Sequence, residues 1–174
     1  LECGKAIAAI ADGMGSGSEA QYESATACRL LTSFLKSGFS VKTALGILNS
    51  SMCLNMENEI YSTIDLLEID LYTAEAQMYK IGSAETLMLN GGDVKTITSS
   101  SVPAGILSDI RLDKRTVTMK EGDVILMISD GITESGYSVS RTEWIKKIMV
   151  KHLSTLKLKR ISKVILILLT IMKL

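Results

Sequence analysis

Lys5-Ala6-Ile7-Ala8-Ala9-Ile10-Ala11-Asp12-Gly13-Met14-Gly15-Ser16-Gly17 is the stretch on which the rest of the chain is organised. A short apolar run stops at Asp12, glycines follow at three alternate positions, and a helical pattern begins after them. This reads as a buried strand ending on a carboxylate, then a turn that only glycine tolerates cheaply. A carboxylate at a rigid strand end suits a metal–oxygen or phosphate site. The same segment is also compatible with a plain strand–loop–helix turn carrying a solvated Asp12. A nucleotide-phosphate loop at Gly13–Gly17 is a third possibility, but the chain lacks a GK[ST] sequence and a βαβ unit.

Working outward, Ser16 and Glu19 have capping-box spacing for a helix starting near Gly17. Ala27, Leu30, Leu31 and Phe34 form its apolar stripe, and Gly38 is its stop. Cys28 lies beside the stripe as a small core residue. A second helix follows Ser40, with Val41, Ala44, Leu45, Leu48 and Met52 on one face. Strands are then expected at residues 62–72, 77–81, 86–90, 94–98, 115–119 and 124–129, separated by short turns, with Gly91-Gly92 turning a hairpin. Consecutive strands with short turns point to antiparallel sheet, with helices outside a sheet or sheets stacked on each other. A helix is expected from Arg141 through Ile145, Ile148, Met149, His152, Leu153 and Leu156. The apolar run Ile161–Met172 is too short for a bilayer span and reads as a core helix.

The 174 residues suit one domain with a sizeable core, at 47% hydrophobic and 22% charged. Zero formal net charge offers no global electrostatic pull on nucleic acid. After Glu143 the charged residues are all basic; that reads as a solvated face, with a partner or membrane-surface role as the alternative. Three scattered cysteines argue against zinc and disulfide frameworks and suit a reducing compartment. One histidine, His152, excludes histidine-rich metal sites and leaves a Ser-His-Asp triad dependent on a poorly placed residue. No signal peptide is visible, and Leu1 reads as an excision point.

The design of the opening stretch recurs at Val124-Ile125-Leu126-Met127-Ile128-Ser129-Asp130-Gly131, 118 positions later. Two buried strands of one sheet that each end in Asp-Gly could bring two carboxylates together. Such hard oxygen ligands suit magnesium or manganese.

With Tyr61-Ser62-Thr63-Ile64-Asp65-Leu66 and Ile81-Gly82-Ser83-Ala84 between them, the two Asp-Gly segments stand in a characteristic order. Over roughly residues 5–135 the chain resembles the metal-dependent PPM (PP2C-type) serine/threonine phosphatases, most closely their sporulation branch. The resemblance implies an α+β fold, an α-β-β-α sandwich of antiparallel sheets flanked by helices. It implies two divalent cations, Mn2+ or Mg2+, and hydrolysis of phosphoserine or phosphothreonine by a metal-bound water, with no side-chain nucleophile. Asp12 would bridge both ions, the Gly13 carbonyl would ligate the second, and Asp130 would hold the first. Asp65 is a possible near-site residue, its alternative a hydrogen-bonded structural role; Arg111 and Arg115 read as surface residues. The implied substrate is a phosphorylated protein of the anti-anti-sigma-factor type in sporulation and sigma-factor signalling. The implied location is cytoplasmic, with any membrane attachment through regions outside this chain, and nucleic acid is not expected as a partner.

The family's two further acidic ligands, one before the opening stretch and one in a C-terminal acidic strand, have no counterpart here. The expectation is a phosphatase domain over residues 1–140, incomplete at both ends, and a helical basic and apolar tail over 141–174. A truncation or shifted reading frame after about Ser140 would account for the tail. Two dications bring four positive charges against two carboxylates, so little turnover is expected from these residues alone. The alternative function is a degenerate, non-catalytic regulatory or binding module of the same fold.

Overall fold

In the computed structural model, residues 4–15, 17–54, 61–130, 142–153 and 165–169 are described. The opening strand β1 (Lys5–Gly13) is followed by α1 (Ser18–Lys36) and α2 (Val41–Cys53). The chain returns as β2 (Ser62–Asp70), which pairs antiparallel along the whole of β1, from Lys5 opposite Asp70 to Gly13 opposite Ser62. Strands β3 (Glu75–Ile81) and β6 (Asp113–Thr118) complete one sheet in the order β1-β2-β3-β6. Strands β4 (Thr86–Asn90), β5 (Asp93–Ile97), β7 (Val124–Ile128) and β8 (Ile165–Leu169) form a second sheet, ordered β5-β4-β7-β8. A short helix, α3 (Glu143–Ile148), runs into a π-helical turn at Met149–Leu153.

Strand alternation sorts the apolar residues into three layers of contact. Ile64, Leu66, Tyr79 and Ile81 pack against Ala27, Leu31, Leu45 and Leu48 of the two long helices. The opposite faces of the same strands supply Leu67, Ile69 and Met78, which meet Met88, Ile125 and Met127 of the second sheet. The outer face of that sheet, including Leu87, Leu126 and Ile128, is covered by Ile145 and Met149. Helix, sheet, sheet and helix therefore stack in the order the resemblance implies.

Local chemistry accounts for the boundaries. The α1 C-terminus closes on Gly38, at φ 85°, where Gly38 N–H donates to Leu35 O and Phe39 N–H donates to Phe34 O. The Phe34 and Phe39 rings meet edge to face at 6.0 Å, the apolar contact that accompanies such a cap. Ser40 caps α2 by accepting the Thr43 N–H at 3.2 Å. Gly17 is the N-cap of α1 and supplies no side-chain hydrogen bond; Ser16 of the expected capping box lies outside the described residues. Strand β2 ends two residues earlier than its apolar pattern suggested, because Asp70 accepts the Tyr72 and Thr73 N–H groups and turns the chain.

Two expectations are corrected. First, β3 and β4 look like partners in sequence, as do β6 and β7, yet each pair is split between the two sheets. The connections 82–85 and 119–123 cross between layers instead of turning hairpins. Second, the run expected as a core helix contains β8, which pairs parallel with β7 from Val124 opposite Ile165 to Ile128 opposite Leu169. Ile165-Leu166-Ile167-Leu168-Leu169 has no polar residue to mark a period, and a continuous apolar run beside a buried strand satisfies the sheet equally well. Of the helix expected from Arg141, Arg141 itself and Leu156 lie outside the described residues.

Candidate metal centre

Asp12 and Gly13 are the last two residues of β1, opposite Thr63 and Ser62 respectively. Ile10 belongs to the core between the sheets, so strand alternation places Asp12 on that same inter-sheet face. Its carbonyl accepts from the Ser62 hydroxyl at 3.1 Å. Gly13 is buried, and a Cβ there would lie 2.3 Å from the Ala20 carbonyl oxygen. The first turn of α1 thus approaches the strand end as closely as it does only because position 13 has no side chain.

Asp130 follows β7 in the other sheet and is half-buried. The ends of β1 and β7 are brought to one rim by the chain itself. Strand β3 finishes beside the β2 start, Ile81 opposite Ile64, and four residues later β4 begins with Thr86 opposite Met127. Asp12 at one sheet and Ser129-Asp130 at the other therefore flank the same short crossing. Gly13 ends β1 and Asp130 follows β7, but the two strands belong to different sheets and not to the one sheet expected, because β1 pairs only with β2 while β7 pairs with β4 and β8. Of the other described carboxylates, Asp65 is the one that register places beside them.

Asp65 sits opposite Ile10 and Lys80, one diagonal step from Asp12 on the same face; such neighbours are about 7–8 Å apart. It is 2% exposed and Lys80 is 1% exposed. Lys80 Nζ donates to Asp65 Oδ2 at 2.7 Å and to Thr86 Oγ1 at 2.8 Å, and the Thr86 hydroxyl in turn donates to Asp65 Oδ2. Burial pulls the Lys80 ammonium below its ordinary range, opposed by the charges of Asp65 and Glu85. The structural role weighed for Asp65 is thus present, and it joins strands of both sheets. Lys80 and Thr86 were not legible as site residues. The signal was a single charge in each of two apolar strands, Ile64-Asp65-Leu66 and Tyr79-Lys80-Ile81.

Arg111 and Arg115 are exposed, as expected. They line an open cleft of about 440 Å3 with Lys114 and Asp113, on the edge strand farthest from β1. Cys28 is half-buried, and burial pushes its thiol up, away from reactivity. His152 falls in the π-helical turn after α3.

Two mainly antiparallel sheets stacked face to face between helical layers, one with a strand ending at Asp12-Gly13 and the other with a strand ending just before Asp130, match the PP2C-type phosphatase fold. The PP2C phosphatase domain of SpoIIE from Bacillus subtilis, solved with a fragment of its regulatory domain, matches with a TM-score of 0.76 at 36% identity, over 84% of this chain and 44% of that one. A family model described as stage II sporulation protein E (SpoIIE) matches residues 3–168. The chain belongs to the SpoIIE family. It is 38% identical over 146 residues to stage II sporulation protein E of Bacillus subtilis (strain 168), and 38% over 148 residues to that of Priestia megaterium. These matches cover 83% and 84% of the chain but only 18% and 25% of the two relatives.

Proposed function

We propose that these residues form the catalytic portion of a metal-dependent protein serine/threonine phosphatase, acting on a phosphorylated protein of the anti-anti-sigma-factor type in sporulation signalling. What supports the proposal is that β1 ends at Asp12-Gly13 and β7 just before Asp130, at the same side of the crossing between the two sheets, in a chain of the SpoIIE family. Residues 1–140 would make up the phosphatase portion and 141–174 a basic and apolar tail, of which Ile145 and Met149 pack on the second sheet and Ile165–Leu169 adds a strand to it.

The donor set fits a divalent cation in kind. Asp12 and Asp130 offer carboxylates, Gly13 offers a carbonyl at a position that excludes a Cβ, and all are hard oxygens suited to Mn2+ or Mg2+. Among the described residues no group of three or more His, Cys, Asp or Glu side chains converges, so the protein ligands are few for two ions. Divalent ions bound here would supply Lewis-acid polarisation of a phosphoryl oxygen and lower the pKa of water. The chain's own part is to hold two negative charges at a fixed separation. Behind them, Lys80 pairs with the buried Asp65. The buried strands behind the rim exclude water from one side.

The test is manganese-dependent dephosphorylation of a phosphoserine protein by the full-length protein. Asp12→Asn and Asp130→Asn should each lower turnover by about 100-fold or more, and the isolated 174 residues should turn over far more slowly than the full-length protein. Binding of the phosphoprotein with no manganese-dependent turnover in the full-length protein would instead establish a non-catalytic binding module.

A further inference from the structure

Three of the four buried side-chain oxygens that lack a hydrogen-bond partner among the described residues belong to the crossing between the sheets. They are Asp65 Oδ1, Ser83 Oγ on the 82–85 connection, and Ser129 Oγ, 3% exposed and next to Asp130. The fourth, Glu23 Oε2, is on α1. A native fold seldom leaves one such atom without a reason, and three at one rim mark a place built for more than packing. Among the described residues a polar bridge between the sheets runs through Thr86, whose hydroxyl bonds to both Asp65 and Lys80. The core between the sheets is an apolar cluster, and apolar contact is non-directional. It sets how closely the sheets approach but does little to stop them sliding.

We propose that Asp65, clamped by Lys80 and Thr86, is a positioning residue for the rim. It locks the register of one sheet against the other and so fixes the separation of Asp12 and Asp130. The geometry follows from pairing. Asp65 and Lys80 lie one inter-sheet step inward from Asp12 and Thr63. Thr86, opposite Met127, lies one step inward from Ser129. A bond from Asp65 to Thr86 therefore ties the two strand ends at their nearest common point. Among the described residues Asp65 Oδ1 has no hydrogen-bond donor, and the carboxylate is held through Oδ2. The inference rests on the metal-binding reading only in what the fixed separation is for; the locking itself stands apart from it.

Thr86→Val removes the hydroxyl at nearly constant volume, and Thr86→Ser restores it. Two readouts in the full-length protein separate the issues: amide hydrogen exchange at Asp12, Gly13, Ser129 and Asp130, and Mn2+ affinity from the electron paramagnetic resonance of the free ion. In Thr86→Val, exchange at these four amides should rise about tenfold relative to that at Ile7 and Val124, and Mn2+ binding should weaken about tenfold. Thr86→Ser should lie near wild type in both. If Thr86→Val fails to fold, Thr86→Cys carries the same comparison with a weaker hydrogen bond. Exchange that rises as much at Ile7 and Val124 as at the four rim amides, or a serine variant no better than valine, overturns the positioning role. If Asp12→Asn leaves Mn2+ binding unchanged, the metal reading fails while the exchange comparison still decides the locking.

Discussion

Gly13→Ala tests the closeness of α1 to the rim. The added carbon would sit 2.3 Å from the Ala20 carbonyl oxygen, 3.0 Å from its carbonyl carbon and 3.1 Å from its Cα. Carbon and carbonyl oxygen ordinarily meet at roughly 3.3 Å or more, so a displacement of about 1 Å is demanded. The obstacle is helix backbone, and α1 is anchored through Ala27 and Leu31 in the helix–sheet core, so the strain cannot be relieved by a side-chain rotation. Overpacking of this kind costs about 1–3 kcal/mol, against which the lost backbone freedom of alanine returns about 0.4–1 kcal/mol. A net loss of about 1–2 kcal/mol corresponds to a fall of roughly 2–8 °C in Tm for a chain of this size. Gly46→Ala is the matched control: it lies in α2, where an added Cβ meets nothing within 4 Å, and should stabilise by about 1 kcal/mol. Thermal unfolding by circular dichroism compares the two. The Gly13 carbonyl survives the substitution, so weaker Mn2+ binding in Gly13→Ala would report displacement alone. A Gly13→Ala protein as stable as wild type would refute the close approach of α1.

Lys80→Met should cost about 3–5 kcal/mol in urea denaturation, because it leaves the buried Asp65 carboxylate without its cation. Lys80→Met/Asp65→Asn should recover most of that loss, and a double variant no more stable than the single one would contradict the pairing. Asp113 accepts the Ser100 and Ser101 N–H groups and both Ser99 and Ser100 hydroxyls, and these bonds, led by the Ser100 N–H, hold its carboxyl below the ordinary range. Because its folded pKa is below its unfolded value, its contribution is complete above about pH 4 and is lost as pH falls through the lowered value. Asp113→Asn should therefore flatten the acid limb of the stability–pH curve below about pH 4 and leave the curve's shape at neutral pH unchanged; an unaltered acid limb would contradict it.

Most strands were legible because their apolar runs end at unmistakable turns. Gly91-Gly92 adopts φ 58° and 96° and turns β4 into β5 as a two-residue hairpin. Both Asp-Gly segments stood out for the same reason, as abrupt ends to apolar runs. Sheet membership was not, since the sequence around Gly82 supports a hairpin as well as a crossing. What decides it is the pairing of β3 with β6, more than thirty residues downstream, which no local pattern announces. The Asp65–Lys80–Thr86 cluster was hidden for a related reason: its members are unremarkable in their own strands and acquire meaning only when two sheets are laid face to face. At the C-terminal end, Ile165–Leu169 is equally apolar on every face, so period alone cannot choose between helix and strand.

The splitting of β3 from β4 and of β6 from β7 has a consequence for how the molecule comes apart. Neither sheet is encoded by one continuous length of chain: β4 and β5 of the second sheet are inserted between β3 and β6 of the first. No cut can release one sheet with all its strands, and neither sheet can finish forming before the other has begun. Long-range pairing of this kind folds slowly and leaves little room for a stable half-folded state. The interleaving makes the rim an all-or-none feature, present only when both layers are complete.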